Sequence, residues 1–388
     1  MRTLLAELSD PQHAFHAVHV AGTNGKGSVV AMVDAALNAA GHRSARYTSP
    51  HLVDVSERFV IGTQPIDRAR LEAAAADLRA AVDRLLARGR LQAPPTFFEA
   101  TTAIAFELFR RAGAKVAVCE VGLGGRLDAT NVLEPMVTAI TTIGLDHQQY
   151  LGHSLAEVAR EKAGIIKPGV PVVIGKLPPE ARQVVEDVAA KVGAPLHLAD
   201  EPGAVGALAT LRLALQGAHQ VENAAVAMRL LQEIDRQGIA VSSDAVRAGL
   251  ERVVWPGRLE ARRLSDGREL LLDAAHNADG AAALRSHLAK APPRPMVFAA
   301  MRDKDAAAMI AALAPAVSAF VMTRASNARS SEPSALAELA RGIDPRLTIA
   351  VEPTPAAALA HAWRLSREIV VAGSIFLLGD VMIELNRP

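Results

Sequence analysis

His19-Val-Ala-Gly22-Thr-Asn24-Gly25-Lys26-Gly27-Ser28-Val-Val is the stretch on which the reading of this chain turns. A β-branched run, His16 to Ala21, leads into it, and an apolar-periodic helix, Val29 to Ala40, leads out. Glycines let the backbone wrap closely, so successive N–H groups and the helix N-terminus can face phosphate oxygens. Lys26 adds a point charge for the outer phosphates, and Ser28 suits a phosphate or Mg²⁺. The string departs from G-x-x-x-x-G-K-[ST], because Gly27 separates the lysine from the serine. A Gly-rich turn would explain the glycines alone; the flanking strand and helix favour a nucleotide loop.

Outward from that loop, short β-branched runs alternate with Ala-rich helical patterns, the mark of α/β architecture with a mostly parallel sheet. Strands are expected at Lys115–Val121, Val137–Thr142 and Pro171–Gly175, then Leu270–Asp273, Met296–Ala299, Ala319–Thr323, Leu347–Val351 and Ile369–Ala372. Leu71 to Leu86 carries apolar residues at helical spacing, and Arg88 to Thr96, with Gly89 and Pro94-Pro95, reads as a loop. The length, 388 residues, exceeds what one core usually spans. A break at Val254-Trp255-Pro256-Gly257 follows two helical patterns and precedes a fresh series of β-then-α units, which predicts domains at 1–254 and 255–388.

Composition narrows the function. Forty-two basic against forty-one acidic residues argue against a dedicated nucleic-acid or membrane-surface protein. The one cysteine, Cys119, permits no intrachain disulfide and reads as packing. No apolar stretch approaches the roughly 20 residues that span a bilayer, and no signal peptide is evident, so a cytoplasmic protein is expected.

Further candidates lie where parallel strands end, the place ligands gather. Glu120 closes one apolar run, ahead of Gly122-Leu-Gly124-Gly125-Arg126-Leu127-Asp128-Ala129-Thr-Asn131, and suits Mg²⁺ beside a triphosphate. Asp146-His147 follows another run, and its matching position lifts His147 above the structural role most histidines have. In Glu161-Lys162-Ala-Gly164-Ile-Ile-Lys167, a helical lysine is ordinarily solvated, and the residues alone favour that. Past the boundary, Arg258 suits a phosphate, while Asp273 ends a strand and His276 opens the next helix.

Taken together, these strings resemble the Mur ligase superfamily, and within it the folylpolyglutamate synthase/dihydrofolate synthase family, from about Leu4 to the C-terminus. The matching pieces include the His19–Ser28 loop, Thr48-Ser49-Pro-His-Leu52, Phe97-Phe98-Glu-Ala-Thr-Thr102, Glu120–Asn131, Asp146-His147, Glu161–Lys167, His219-Gln-Val-Glu-Asn223, Pro256–Glu260 and Asp273–Asn277. The resemblance implies an α/β fold: an N-terminal P-loop-type Mur ligase central domain with a mostly parallel sheet, and a smaller C-terminal Rossmann-like domain. It implies that ATP converts a folate carboxylate to an acyl phosphate, which L-glutamate attacks to leave a new amide. By the same likeness Asn24, Gly25, Lys26, Gly27 and Ser28 form the phosphate loop, and Asn223, Arg258 and Asp273 contact ATP. Ser49, Glu120 and His147 match Mg²⁺ ligands, and Lys162 matches a carbamylated lysine at a second metal. Phe97, Phe98, Leu127, Asp128 and Ala129 match the pterin region, and His276 lies near glutamate or ATP. Lys26, Glu120, His147 and Lys162 would carry the catalysis.

Two departures from the family pattern stand out. Family members usually carry a further helix before the loop, where this sequence has only Met1 to Phe15, so a reduced dihydropteroate site or an upstream start is expected. Ala278 stands where the family often has proline. The expected partners are folate or dihydropteroate, L-glutamate and ATP, with no nucleic acid or membrane, and the expected state is a monomer. Two other readings compete: a ligase of the same superfamily acting on a cell-wall precursor, which the Phe97-Phe98 string disfavours, and a non-catalytic nucleotide switch, which has no use for three metal-ligand candidates.

Overall fold

The structure, a computed structural model, describes residues 1–200 and 208–386. The chain divides into two compact units, one of Met1–Ala214 with His219–Val254, the other of Trp255–Pro388 with Leu215–Ala218.

In the first unit the strands are β1 (His16–Ala21), β2 (Ser44–Tyr47), β3 (Phe59–Ile61), β4 (Gln64–Pro65), β5 (Val116–Glu120), β6 (Pro135–Ile140), β7 (Val172–Ile174) and β8 (Leu196–Leu198). They form an eight-stranded sheet in the order β4-β3-β2-β5-β1-β6-β7-β8. All pairs are parallel except β2–β3 and β3–β4. Five of the six β1 residues are buried, as befits a strand covered on both faces. The chain leaves β5 and crosses β1 to reach β6, so the strand order reverses around β1, which is where open α/β sheets bind ligands. One core packs Leu4, Tyr47, Phe59, Leu78, Phe106 and Phe109; another packs Ile140, Val158, Ile174 and Val185.

Several elements differ from the sequence expectation. The helix after the loop starts at Lys26, three residues earlier than its apolar pattern, because Gly25 at φ +85° turns the chain directly into it. Strands β2, β3, β4 and β8 were not expected: each is four residues or fewer, too short to carry a periodicity. A helix, Arg2–Glu7, stands ahead of β1, where none was expected, and buries Leu4 and Leu5.

The second unit holds β9 (Glu260–Arg263), β10 (Glu269–Leu272), β11 (Arg294–Phe298), β12 (Val317–Met322), β13 (Ile349–Val351) and β14 (Glu368–Ala372). Its order is β13-β12-β11-β14-β10-β9, parallel except for the β9–β10 edge. Leu284, Met296, Phe298, Phe320, Leu336 and Val370 fill its core. Among the described residues no helix is long and apolar enough to cross a membrane.

Candidate active site

The loop after β1 is fixed from the neighbouring strand. Thr141 Oγ1 donates to the Asn24 carbonyl at 2.6 Å, and Thr142 Oγ1 accepts from Asn24 N–H at 3.0 Å. Thr23 N–H donates to the Thr142 carbonyl at 2.8 Å, and Thr23 Oγ1 bridges to Gly144. Gly25 then caps the helix in a left-handed conformation that a side chain rarely adopts. A Cβ there would also lie 2.2 Å from Asn223 Oδ1. Asn223 is therefore seated on the loop, its amide steadied by a 3.0 Å bond to Gln220 Oε1. No side chain caps the first turn of the helix Lys26–Ala39, so its N–H groups keep the anion-facing character of a helix start. Gly27 and Ser28 are buried in that turn, and Ser28 Oγ is buried with no hydrogen-bond partner. An orphaned hydroxyl beside an uncapped helix start fits a phosphate or a metal that phosphate carries.

Lys26 reaches from this turn to the end of β5. Its Nζ donates to the Thr23 carbonyl at 3.1 Å and lies 3.8 Å from Glu120 Oε1. The other carboxylate oxygen of Glu120 accepts from Ser49 N–H at 3.2 Å. Lys26, Ser49 and Glu120 are thus brought together although 94 positions separate the first from the last. Lys162 departs from what its residue type alone favours: it is buried, not solvated, and its Nζ donates to the Gly22 carbonyl at 3.0 Å. Its neighbour Glu161 faces outward to Arg126 at 2.9 Å. His147 takes a left-handed φ of +51° ahead of the short helix Gln148–Leu151, and its N–H donates to Asp146 Oδ1 at 2.8 Å. Among the described residues no three His, Cys, Asp or Glu side chains gather as a metal cluster.

The Gly122–Asn131 loop is organised by Asp128. Its Oδ2 accepts from Gly122 and Leu123 N–H at 3.0 and 2.9 Å. Its Oδ1 accepts from Thr130 N–H and Oγ1 at 2.9 and 2.5 Å. Burial pushes this carboxyl upward, and the four donors oppose that shift. Phe98 lies against Gly122 and stacks on Tyr47 with ring centroids 5.9 Å apart. Phe97 and Leu127 project outward, 62% and 80% exposed, with Arg58 5.2 Å from the Phe97 ring centroid. Ala129 is buried. Glu99 is the capping-box partner of Thr96 at the start of the helix Phe97–Arg111, which gives the Phe-Phe-Glu string a structural share. Cys119 is buried in β5, where desolvation pushes its thiol upward and leaves it inert.

In the second unit, Asp273 follows β10 and clamps two turns. Its oxygens accept from Leu259 and Ala275 N–H, each at 2.9 Å. Burial raises this carboxyl, against the pull of Arg258 and the two backbone donors. Arg258 sits between Gly257 and Leu259, both at positive φ. His276 bonds through Nδ1 to the Ala274 carbonyl at 2.9 Å, which requires the proton on Nδ1. The helix begins two residues later than His276, with Asn277 as its cap and Ala278 as its first residue. Proline is favoured at that position only for its preset φ, so alanine there costs little.

Sequence reasoning missed Thr23, Thr141 and Thr142 as the clamp on Asn24. Their signal was present: two hydroxyls at the end of one strand, beside a loop that must be held open. It also gave no role to His19 and Thr130, although both lie inside the strings that carry the reading.

Residues 20–191 match the Mur ligase middle domain, and residues 257–375 the Mur ligase glutamate ligase domain. These two matches define the class: a Mur ligase. A folylpolyglutamate synthase from Lacticaseibacillus casei is 34% identical over 400 residues, 98% of this chain and 92% of its own length. A Mycobacterium tuberculosis folylpolyglutamate synthase solved with ADP and AMPPCP has a TM-score of 0.90 at 33% identity, covering 100% of this chain and 95% of that one. A bifunctional folylpolyglutamate synthase/dihydrofolate synthase solved with Mn, AMPPNP and L-glutamate scores 0.85 at 30% identity, covering 100% and 93%. The chain belongs to the folylpolyglutamate synthase/dihydrofolate synthase family.

Proposed function

We propose that this chain is an ATP-dependent ligase that joins L-glutamate to a folate through an acyl phosphate, with folylpolyglutamate synthesis as its principal activity. The observation that carries this reading is the junction of Lys26, Glu120 and Ser49 beside an uncapped helix start. That junction offers one fixed cation and one carboxylate where a triphosphate would lie. The reaction brings two anions together, a carboxylate and a phosphate, so preorganised positive charge is its main requirement. Lys26 meets that requirement at the outer phosphates, and the first-turn N–H groups at the inner ones.

In this reading Ser49, Glu120 and His147 would hold Mg²⁺, which would supply Lewis acidity to the phosphoryl group. The orphaned Ser28 hydroxyl and the Glu120 carboxylate are the hard oxygen donors such an ion selects. Lys162 would serve a second metal site as its carbamate, and its buried Nζ beside the Gly22 carbonyl lies next to the loop that would carry the phosphates. Asn223, Arg258 and Asp273 serve ATP, with Asp273 acting by shaping the turn that carries Arg258. Phe98 and the loop held by Asp128 present the pterin face, and the exposed Phe97 and Leu127 add apolar surface to it. His276, with Nδ1 bonded to the Ala274 carbonyl, would meet glutamate or ATP through the rest of its ring.

The test is to supply dihydropteroate and tetrahydrofolate separately, each with ATP, Mg²⁺ and radiolabelled L-glutamate, and to follow label into the acceptor. Label on tetrahydrofolate supports the reading, and label on dihydropteroate adds the second activity. ATP turnover with neither acceptor labelled overturns it.

A further inference from the structure

His19 belongs to the strand that carries the phosphate loop, yet its side chain leads elsewhere. It is fully buried in β1, and its Nε2 lies 2.8 Å from Thr130 Oγ1. Thr130 Oγ1 in turn donates to Asp128 Oδ1. A hydroxyl has one proton. Thr130 gives it to Asp128, so the imidazole must be the donor at the other end, and Nε2 carries the hydrogen. His19 Nδ1 is then a bare acceptor, buried and without a partner. An unpaired polar atom in a dry core destabilises the fold. A histidine kept there against that cost is explained by what its other nitrogen does.

We propose that His19 is a positioning residue for the folate acceptor: its Nε2–H orders Thr130 so that the Thr130 hydroxyl holds Asp128, and Asp128 holds the Gly122–Leu123 backbone against which the acceptor lies. This rests on the reading that the Gly122–Asn131 loop faces the acceptor. The chain of bonds is directional at every step. His19 donates to Thr130, Thr130 donates to Asp128, and the carboxylate accepts from Gly122 and Leu123. Burial holds the imidazole neutral, its pKa pushed down to about 3, so the donor does not change state over the working pH range. Thr130 and Asp128 stand 111 and 109 positions from His19. No local signal in the sequence links them; parallel pairing of β1 with β5 and β6 does.

The experiment separates positioning from packing. Glutamine places an amide N–H where Nε2 stands, so His19→Gln keeps the donor, while His19→Leu keeps the volume and loses it. Thr130→Ser and Thr130→Val make the same contrast one bond further along. Initial rates are measured against tetrahydrofolate, ATP and glutamate in turn, and hydrogen exchange is followed at the Gly122 and Leu123 amides. Expected is a rise of about tenfold in the tetrahydrofolate KM for His19→Leu and for Thr130→Val, the effect of one lost hydrogen bond. ATP KM should change less than about twofold, the glutamine and serine variants should stay near wild type, and the double variant should be no worse than either single one. The two amides should lose protection in the leucine and valine variants only. Unchanged protection at those amides overturns the proposal, as does a loss in His19→Leu that is equal for all three substrates. Should the wild type label neither folate, the acceptor reading fails; the exchange result still decides whether His19 orders the loop.

Discussion

Replacing Lys26 with methionine removes one charge and keeps most of the side chain's volume, so the effect it produces is electrostatic. The ammonium lies 3.8 Å from Glu120, and at an effective dielectric constant of about 20 such a pair attracts by about 4 kcal/mol. Desolvation of both groups offsets much of that in the resting protein. The charge acts in full only when a phosphoryl group develops negative charge beside it. Removing one preorganised donor from such a site costs on the order of 100- to 1000-fold, about 3–4 kcal/mol. We expect kcat for ADP release, with folate and glutamate saturating, to fall by that factor, and ATP KM to change far less, since the interaction strengthens toward the transition state. Lys26→Ala should match Lys26→Met within a few-fold, because volume is not the cause. Circular dichroism and thermal melting establish that each variant is folded. A folded Lys26→Met enzyme within tenfold of the wild-type rate would refute the assignment of this lysine to phosphoryl transfer.

Glu120→Gln and His147→Ala should each raise the Mg²⁺ concentration needed for half-maximal rate, and the double variant should lose much less than the product of the two; strict additivity in a Mg²⁺ titration would separate them into different sites. Lys162→Arg should be as inactive as Lys162→Ala, since arginine forms no carbamate, and acetate at high concentration should partly restore the alanine variant; an active arginine variant, or a folded protein under ¹³C-labelled carbon dioxide that shows no carbamate resonance by NMR, removes that role. Burial holds His19 neutral in the fold, pushing its pKa from 6.5 down to about 3, so the unfolded chain binds the extra proton first and stability falls as pH drops below 6.5. By pH 5 the imidazole contributes a loss of about 2 kcal/mol that His19→Gln escapes; denaturant melts of the two proteins at pH 7.5 and pH 5 that shift in parallel would refute the burial of a neutral ring.

What the sequence made legible follows from length and locality. β1, β5 and β6 are apolar runs buried along nearly their whole length, and their C-terminal ends announced Glu120 and the Thr141–His147 segment. The loop and its lysine were readable because the motif is contiguous. Ser44-Ala-Arg-Tyr47 was not readable as a strand, for it has no β-branched residue; it becomes β2 because β5 and β3 offer backbone partners on either side. Glu260-Ala-Arg-Arg263 is charged enough to pass for a turn, and is β9 because an edge strand needs only one ladder. The burial of Lys162 depends on a carbonyl 140 positions away. Nothing within its own helix could have shown that its Nζ faces Gly22 and not solvent.

The same dependence on distant partners explains why the site clusters around one strand. β1 ends at Ala21, and the next residue, Gly22, lends its carbonyl to Lys162. The strand on one side ends in Glu120, which meets Lys26. The strand on the other side is followed by Thr141, which grips the Asn24 carbonyl. The segment carrying Thr141 is itself held from the next strand over: Gly175 N–H, just past β7, donates to the Ile140 carbonyl at 2.9 Å, and a Cβ on Gly175 would collide with the Thr141 carbonyl oxygen, so only glycine permits that approach. Four parallel strands in the order β5-β1-β6-β7 thus hand position inward, from Gly175 to Thr141, from Thr141 to Asn24, and so to the turn where Lys26 begins its helix. The chemistry needs a cation and a carboxylate fixed to within a fraction of an ångström. The short hydroxyls of Thr141 and Thr142, seated at a parallel backbone end, fix the turn from which the longer Lys26 reaches Glu120.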